Sequence, residues 1–175
     1  MTNYHLTNLL RRPTMGRSAR AILSGVGLVR KPLMFALIRH AGYRLASGSL
    51  TPDCERMTGV LAEQLRQHCG WHEVRVSFTE RTQETGAILA QVLALPMVTD
   101  DRIGMDVDLQ DLLPPTEPHG IIFVSHLPIL TKMLRAWAKR FGCDEPPLTE
   151  VASGYIVKLE AKQFIPIGER SVNAA

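Results

Sequence analysis

The amino-acid sequence predicts an α/β fold, a three-layer α/β/α sandwich around a mostly parallel central sheet. Three observations lead there. Strand-like and helix-like segments alternate in the order β-α-β-α-β-α-β. The helical segments carry an apolar stripe at three-to-four spacing. Gly120-Ile-Ile-Phe-Val124 is apolar at successive positions, as in a strand covered on both faces. The length of 175 residues suits one domain with a real core, and 45% hydrophobic against 21% charged residues argues against a disordered or fibrous chain.

The first 33 residues are rich in Arg, punctuated by Gly and free of acids. They predict a basic, flexible N-terminal extension, which is preferred to an organelle-targeting segment. Charge is asymmetric overall. Residues 1–52 carry eight Lys or Arg and no Asp or Glu, and the rest carries 12 Lys or Arg against 17 Asp or Glu, so a net +3 conceals a net −5 beyond Pro52. A basic front of this kind is read as solvated and gives no warrant for a nucleic-acid partner. Ile22–Val29 is too short to span a bilayer, and no transmembrane segment is predicted. Three cysteines, Cys54, Cys69 and Cys143, form no C-x-x-C pair, which fits a reducing, cytoplasmic setting.

Met34-Phe-Ala-Leu-Ile38 opens the folded domain as a buried strand. A polar loop follows, and Thr51-Pro52-Asp53 supplies an N-cap, a first-turn proline and an acid at the positive end of a helix dipole. The helix runs to about His68, with Met57, Val60, Leu61 and Leu65 on its inner face and Gly70 stopping it. Val74, Val76 and Phe78 alternate as a second strand, and Thr82–Leu93 reads as a second helix. Gly120–Val124 is the third strand, Ile129–Phe141 the third helix, and Tyr155, Val157 and Leu159 a late strand. The domain is placed at 34–162, with 163–175 as a C-terminal tail.

Polar groups gather where these strands end: Arg39-His40 after the first, Arg81 after the second, Ser125-His126 after the third. Ligand sites in open α/β sheets form at such ends. Two imidazoles and two guanidiniums around one pocket suit a phosphoryl group, because arginine offers its oxygens a fixed fork of donors.

These segments carry a resemblance. Leu-Ile-Arg39-His40-Ala, then Val-Ser-Phe-Thr-Glu-Arg81-Thr-Gln-Glu-Thr, then Phe-Val-Ser-His126-Leu-Pro resemble, in order and spacing, the signature segments of the histidine phosphatase, or phosphoglycerate-mutase-like, superfamily. Leu50-Thr51-Pro-Asp-Cys54 is similar to the start of that family's first helix, with Cys where Gly is usual. The Ser-His-Leu-Pro stretch and the short frame resemble the small bacterial phosphohistidine phosphatases of the SixA kind. The likeness covers roughly Met34 to Glu160.

The resemblance implies a phosphatase in which His40 attacks phosphorus and becomes a phosphohistidine. Arg39, Arg81 and His126 hold the phosphoryl oxygens and offset their charge. It implies Asp106 or Asp108, nearest the family's acidic positions, as general acid, with solvated loop carboxylates as the competing reading. The scheme requires neither cofactor nor metal. Its substrate is a phosphohistidine in a partner protein, with small phosphate esters as the alternative, followed by a non-catalytic phosphate binder; the oligomeric state stays open. The third reading is motivated by three departures from the family pattern: Ala41 for Gly, Phe78 for Pro and Glu84 for Gln.

Other conspicuous residues have plainer expectations. His68, Cys69 and His72 are read as helix-end polar residues rather than metal ligands. His5 and His119 are expected in loops. Trp137 and Phe141, four apart, are expected to pack on the sheet.

Overall fold

The computed structural model of the protein describes residues 33–44, 49–68, 70–104 and 119–168. The chain divides into residues 1–30 and 31–175, and every described residue belongs to the second unit. The expected N-terminal extension up to residue 32, Asp106, Asp108, Cys69 and residues 169–175 lie outside the described residues.

Six strands make one sheet in the order β3-β2-β4-β1-β5-β6. They are β1 (Met34–Arg39), β2 (Glu73–Val76), β3 (Met97–Thr99), β4 (Ile121–Ser125), β5 (Ser153–Lys158) and β6 (Gln163–Gly168). The β1–β4, β2–β4 and β2–β3 pairings are parallel, whereas β1–β5 and β5–β6 are antiparallel. The sheet is therefore mixed, and the mostly parallel expectation holds for its β3-β2-β4-β1 part. A short connection from Lys158 to Gln163 leaves room for a hairpin but not for the crossover that a parallel neighbour requires. Residues 163–168, expected to begin a tail, are β6, so the tail boundary is corrected.

Three α-helices accompany the sheet among the described residues: α1 (Pro52–Arg66), α2 (Glu80–Leu93) and α3 (Leu127–Phe141). Alternation along β1 decides what each covers. Met34, Ala36 and Ile38 pack with Leu61, Ala62 and Leu65 of α1 and Leu89 of α2. Phe35 and Leu37 pack with Ile129, Met133, Leu134 and Trp137 of α3. Trp137 is buried, 5.2 Å from Phe35 and 5.6 Å from Phe141 between ring centroids, so the expected packing of this aromatic pair is met.

Local chemistry sets the helix limits. Thr51 Oγ1 accepts a hydrogen bond from Cys54 N at 3.3 Å, and Pro52, Asp53 and Glu55 fill the first turn of α1. Gly142, at φ 71°, ends α3 in the left-handed conformation that glycine adopts without penalty. Helix α2 lies so close to β2 that a Cβ on Gly86 would come within 2.1 Å of Val76 Cγ1, which fixes where the start of α2 can stand.

Candidate active site

Register brings the two histidines side by side. Arg39 of β1 pairs with Ser125 of β4, and His40 N donates to Ser125 O at 3.1 Å. One residue further on, the rings of His40 and His126 face each other with centroids 5.2 Å apart. The chain leaves β1 toward α1 and leaves β4 toward α3, helices on opposite sheet faces, so both residues stand at a topological switch point.

His40 is 8% exposed, and its Nδ1–H donates to the carbonyl of Ala41 at 2.8 Å. A carbonyl can only accept, so neutral His40 carries its proton on Nδ1 and a bare lone pair on Nε2. Burial lowers its pKa below 6.5. The bond to Ala41 opposes that shift, while Arg81 and then Arg39 reinforce it.

His126 is 1% exposed and held at both nitrogens. Arg81 Nη2 and Nε donate to Nδ1 at 3.3 and 3.4 Å. Arginine has no acceptor, so Nδ1 accepts and Nε2–H donates, to Ser77 Oγ at 2.9 Å and toward Thr79 Oγ1 at 3.3 Å. Ser77 in turn meets Thr82 Oγ1 at 2.9 Å. Burial, then His40, then Arg81 lower the His126 pKa to about 4.

The arginines complete a cationic rim. Arg39 Nη1 donates to the Thr149 carbonyl at 2.9 Å, while its buried Nε–H finds no partner among the described residues. A buried unpaired donor is costly, and an anion would satisfy it. Arg81, expected directly after a strand, stands instead in the first turn of α2. The reason is that β2 ends at Val76 and Phe78 turns outward, 62% exposed. The N-cap positions of α2 and α3 are Thr79 and His126, and neither side chain caps its helix. Both are turned to this cluster, and two positive helix ends add to its attraction for an anion.

Each departure from the family pattern has a physical place. Ala41 is not among the positive-φ residues Ala94, Ala152 and Lys162, and its N–H donates to Thr85 Oγ1 at 3.0 Å, so the methyl is accommodated. Glu84 Oε2 accepts from Leu50 N at 2.7 Å, an engagement with the residue before the N-cap of α1. Phe78 is solvent-facing.

Ser77, Thr79, Thr85 and Thr149 were not anticipated as site residues. Hydroxyl residues are too common to carry a signal alone, and these act across gaps of 44 to 110 positions. Among the described residues no three His, Cys, Asp or Glu converge as a metal cage. His72 and His119 meet edge to face, 5.8 Å between centroids, beside Gly120 at the far end of β4. No described helix is long and apolar enough to cross a membrane.

No family model and no curated protein matches the sequence. Solved structures match the fold. The protein histidine phosphatase SixA complexed with tungstate aligns at 21% identity with a TM-score of 0.59, over 77% of this chain and 94% of the other. A protein assigned as SixA phosphohistidine phosphatase from Agrobacterium tumefaciens aligns at 16% identity and 0.59, over 78% and 97%. A protein assigned as an α-ribazole-5′-phosphate phosphatase from Escherichia coli aligns at 16% and 0.53, over 82% and 100%. The fold that the resemblance implies is thus met: this chain has the fold of SixA and of related phosphatase structures.

Proposed function

We propose that the protein is a phosphatase that works through a phosphohistidine on His40, with a phosphohistidine side chain of a partner protein as its substrate. The observation that carries the reading is the state of His40. Its Nδ1 is tied to a carbonyl, its Nε2 has no hydrogen-bond partner among the described residues, and Arg39, Arg81 and His126 surround it.

Nε2 attacks phosphorus as the bond from phosphorus to the leaving group breaks, and the guanidiniums hold the charge on the phosphoryl oxygens. Water then attacks the same phosphorus, releasing inorganic phosphate and restoring the lone pair of His40. A neutral His126 with an acceptor at Nδ1 cannot donate to a phosphoryl oxygen. It does so once Nδ1 takes a proton from solvent, and Arg81, without leaving its place, then gives the N–H groups that Nδ1 had accepted to the phosphoryl oxygens.

The acid groups of the site support this substrate class. Glu84 is engaged with Leu50 N, and Asp100 is held by Arg102 and Arg75. A leaving imidazole, with a pKa of about 6.5, departs with far less help from an acid than an alkoxide does. Asp106 or Asp108 as general acid belongs to this proposal, and cytoplasmic placement rests on the cysteine usage alone. The likeness to the α-ribazole-5′-phosphate phosphatase favours small phosphate esters as the second reading.

Quenched reaction with labelled substrate tests this. Label is expected on His40 in the wild type, with faster phosphate release from a phosphohistidine protein than from an aryl phosphate. Bound phosphate with no label and no release would leave a binder in place of an enzyme.

A further inference from the structure

Tyr43 has no part in the chemistry described so far. It stands three residues beyond His40, on a hairpin whose arms meet at the Tyr43–Leu50 bridge and at the 2.8 Å hydrogen bond from Arg44 N to Ser49 O. That hairpin is anchored: Thr51 N donates to Gly42 O at 3.4 Å, and Leu50 N donates to Glu84 Oε2 on α2. A carboxylate accepts such a bond more strongly than an amide oxygen would.

The Arg81 guanidinium carbon lies 4.9 Å from the centroid of the Tyr43 ring, within the range of a cation on an aromatic face. The same guanidinium donates to His126 Nδ1, and the Tyr43 ring meets His40 at 6.1 Å between centroids. Four planar groups close a circuit: His40, Tyr43, Arg81 and His126. Helix α2 supplies two of the fixings, because Arg81 and Glu84 lie one turn apart on it.

We propose that Tyr43 is a positioning residue whose ring face holds Arg81 in the orientation that serves both His126 and a phosphoryl group on His40, with Glu84 fixing the hairpin that carries it. The proposal rests on the phosphatase reading and adds to it a residue that the motifs do not contain. Arginine has a long, freely rotating stem, and its fork binds well only when the plane is set beforehand. Between a ring face and an imidazole nitrogen, the plane is set before the anion arrives.

The test compares Tyr43→Phe and Tyr43→Ala with the wild type. Three readouts are needed: kcat/KM for an aryl phosphate against pH, the inhibition constant of inorganic phosphate, and the NMR resonance of Arg81 Nε–H. Phe keeps the ring face and is expected within about twofold of wild type, whereas Ala is expected to lose about tenfold in both kcat/KM and phosphate affinity. Its Arg81 Nε–H resonance should move as the ring current is lost.

The groups facing His40 are Arg39 of β1, Tyr43 of the hairpin, Arg81 of α2 and His126 before α3. Release of Arg81 removes a cation that disfavours His40 protonation, so the acid limb of Tyr43→Ala should move to higher pH. An unchanged Tyr43→Ala beside an active wild type overturns the proposal and spares the phosphatase reading. Equal damage from Phe and Ala also overturns it, as does loss of activity in Ala with the Arg81 resonance unmoved. A wild type that binds phosphate without turnover overturns the phosphatase reading, and the Tyr43 role then stands or falls on phosphate affinity alone. A wild type with neither turnover nor phosphate affinity overturns both.

Discussion

His40 and His126 end neighbouring parallel strands at the same level of the sheet, both are buried, and both have lowered pKa values. Their hydrogen bonds make them different reagents. His40 is tied through Nδ1 to one backbone carbonyl, and its Nε2 lone pair has no partner among the described residues. His126 spends Nε2–H on Ser77 and covers its Nδ1 lone pair with Arg81. On the proposed mechanism, position on the sheet makes a histidine available, and its second neighbour decides whether it attacks or supports.

The largest expected effect breaks the comparison at its centre. His40→Ala should abolish the phosphoenzyme and lower turnover by roughly four orders of magnitude or more, since His40 supplies the covalent step in the proposed mechanism. His126→Gln should lower kcat by about 10²–10³-fold, the usual cost of losing one stabilising donor, while leaving some phosphoenzyme on His40. Rapid-quench measurement of label on the protein checks both. A His126→Gln variant that forms no phosphoenzyme at all would mean that the two rings are not distinct in role.

Acid should sharpen the comparison next. In the proposed mechanism neutral His40 is the reactive form, and its pKa lies below 6.5, so kcat/KM should persist to lower pH than an ordinary imidazole allows. Stability has the opposite sensitivity. Between pH 6.5 and about 4 the unfolded chain binds a proton at His126 that the folded chain refuses, so folding weakens as pH falls through that window. His126→Gln should flatten the dependence of Tm on pH there, and an unflattened curve would show that His126 is not held neutral.

Strand ends were the legible part of this site. The apolar runs of β1 and β4 are unmistakable, and Arg39-His40 and Ser125-His126 follow them directly. Arg81 was misplaced because Phe78 continues the alternation of Val74 and Val76, although β2 stops at Val76 and α2 begins at Glu80. Strand β3 escaped notice since its three residues are all exposed and show no alternation. Strand β6 was hidden by Pro166, a residue confined to sheet edges, and β6 is an edge strand. Tyr43 and the hydroxyl residues were illegible for another reason: their partners lie on other elements, and no local pattern records such contacts. Thr79 even breaks a local rule, sitting at an N-cap without capping, and such breaks gather at functional sites.

The smallest effect tests the buried hydroxyl behind His126. Ser77→Ala removes the 2.9 Å acceptor of Nε2–H and leaves Thr79 Oγ1 at 3.3 Å, so the ring loses its better anchor without losing every partner. The site is fully buried, and an unmet donor there costs about 1–3 kcal/mol, which a shift of the ring toward Thr79 would partly recover. A loss of about tenfold in kcat is expected, with little change in phosphoenzyme formation relative to its hydrolysis, because His40 keeps its own carbonyl. Ser77→Thr retains a hydroxyl but adds a methyl at a fully buried position, so full recovery by Thr is not expected. If Ser77→Ala instead matched His126→Gln in severity, the orientation of His126, and not its presence, would be what the site requires.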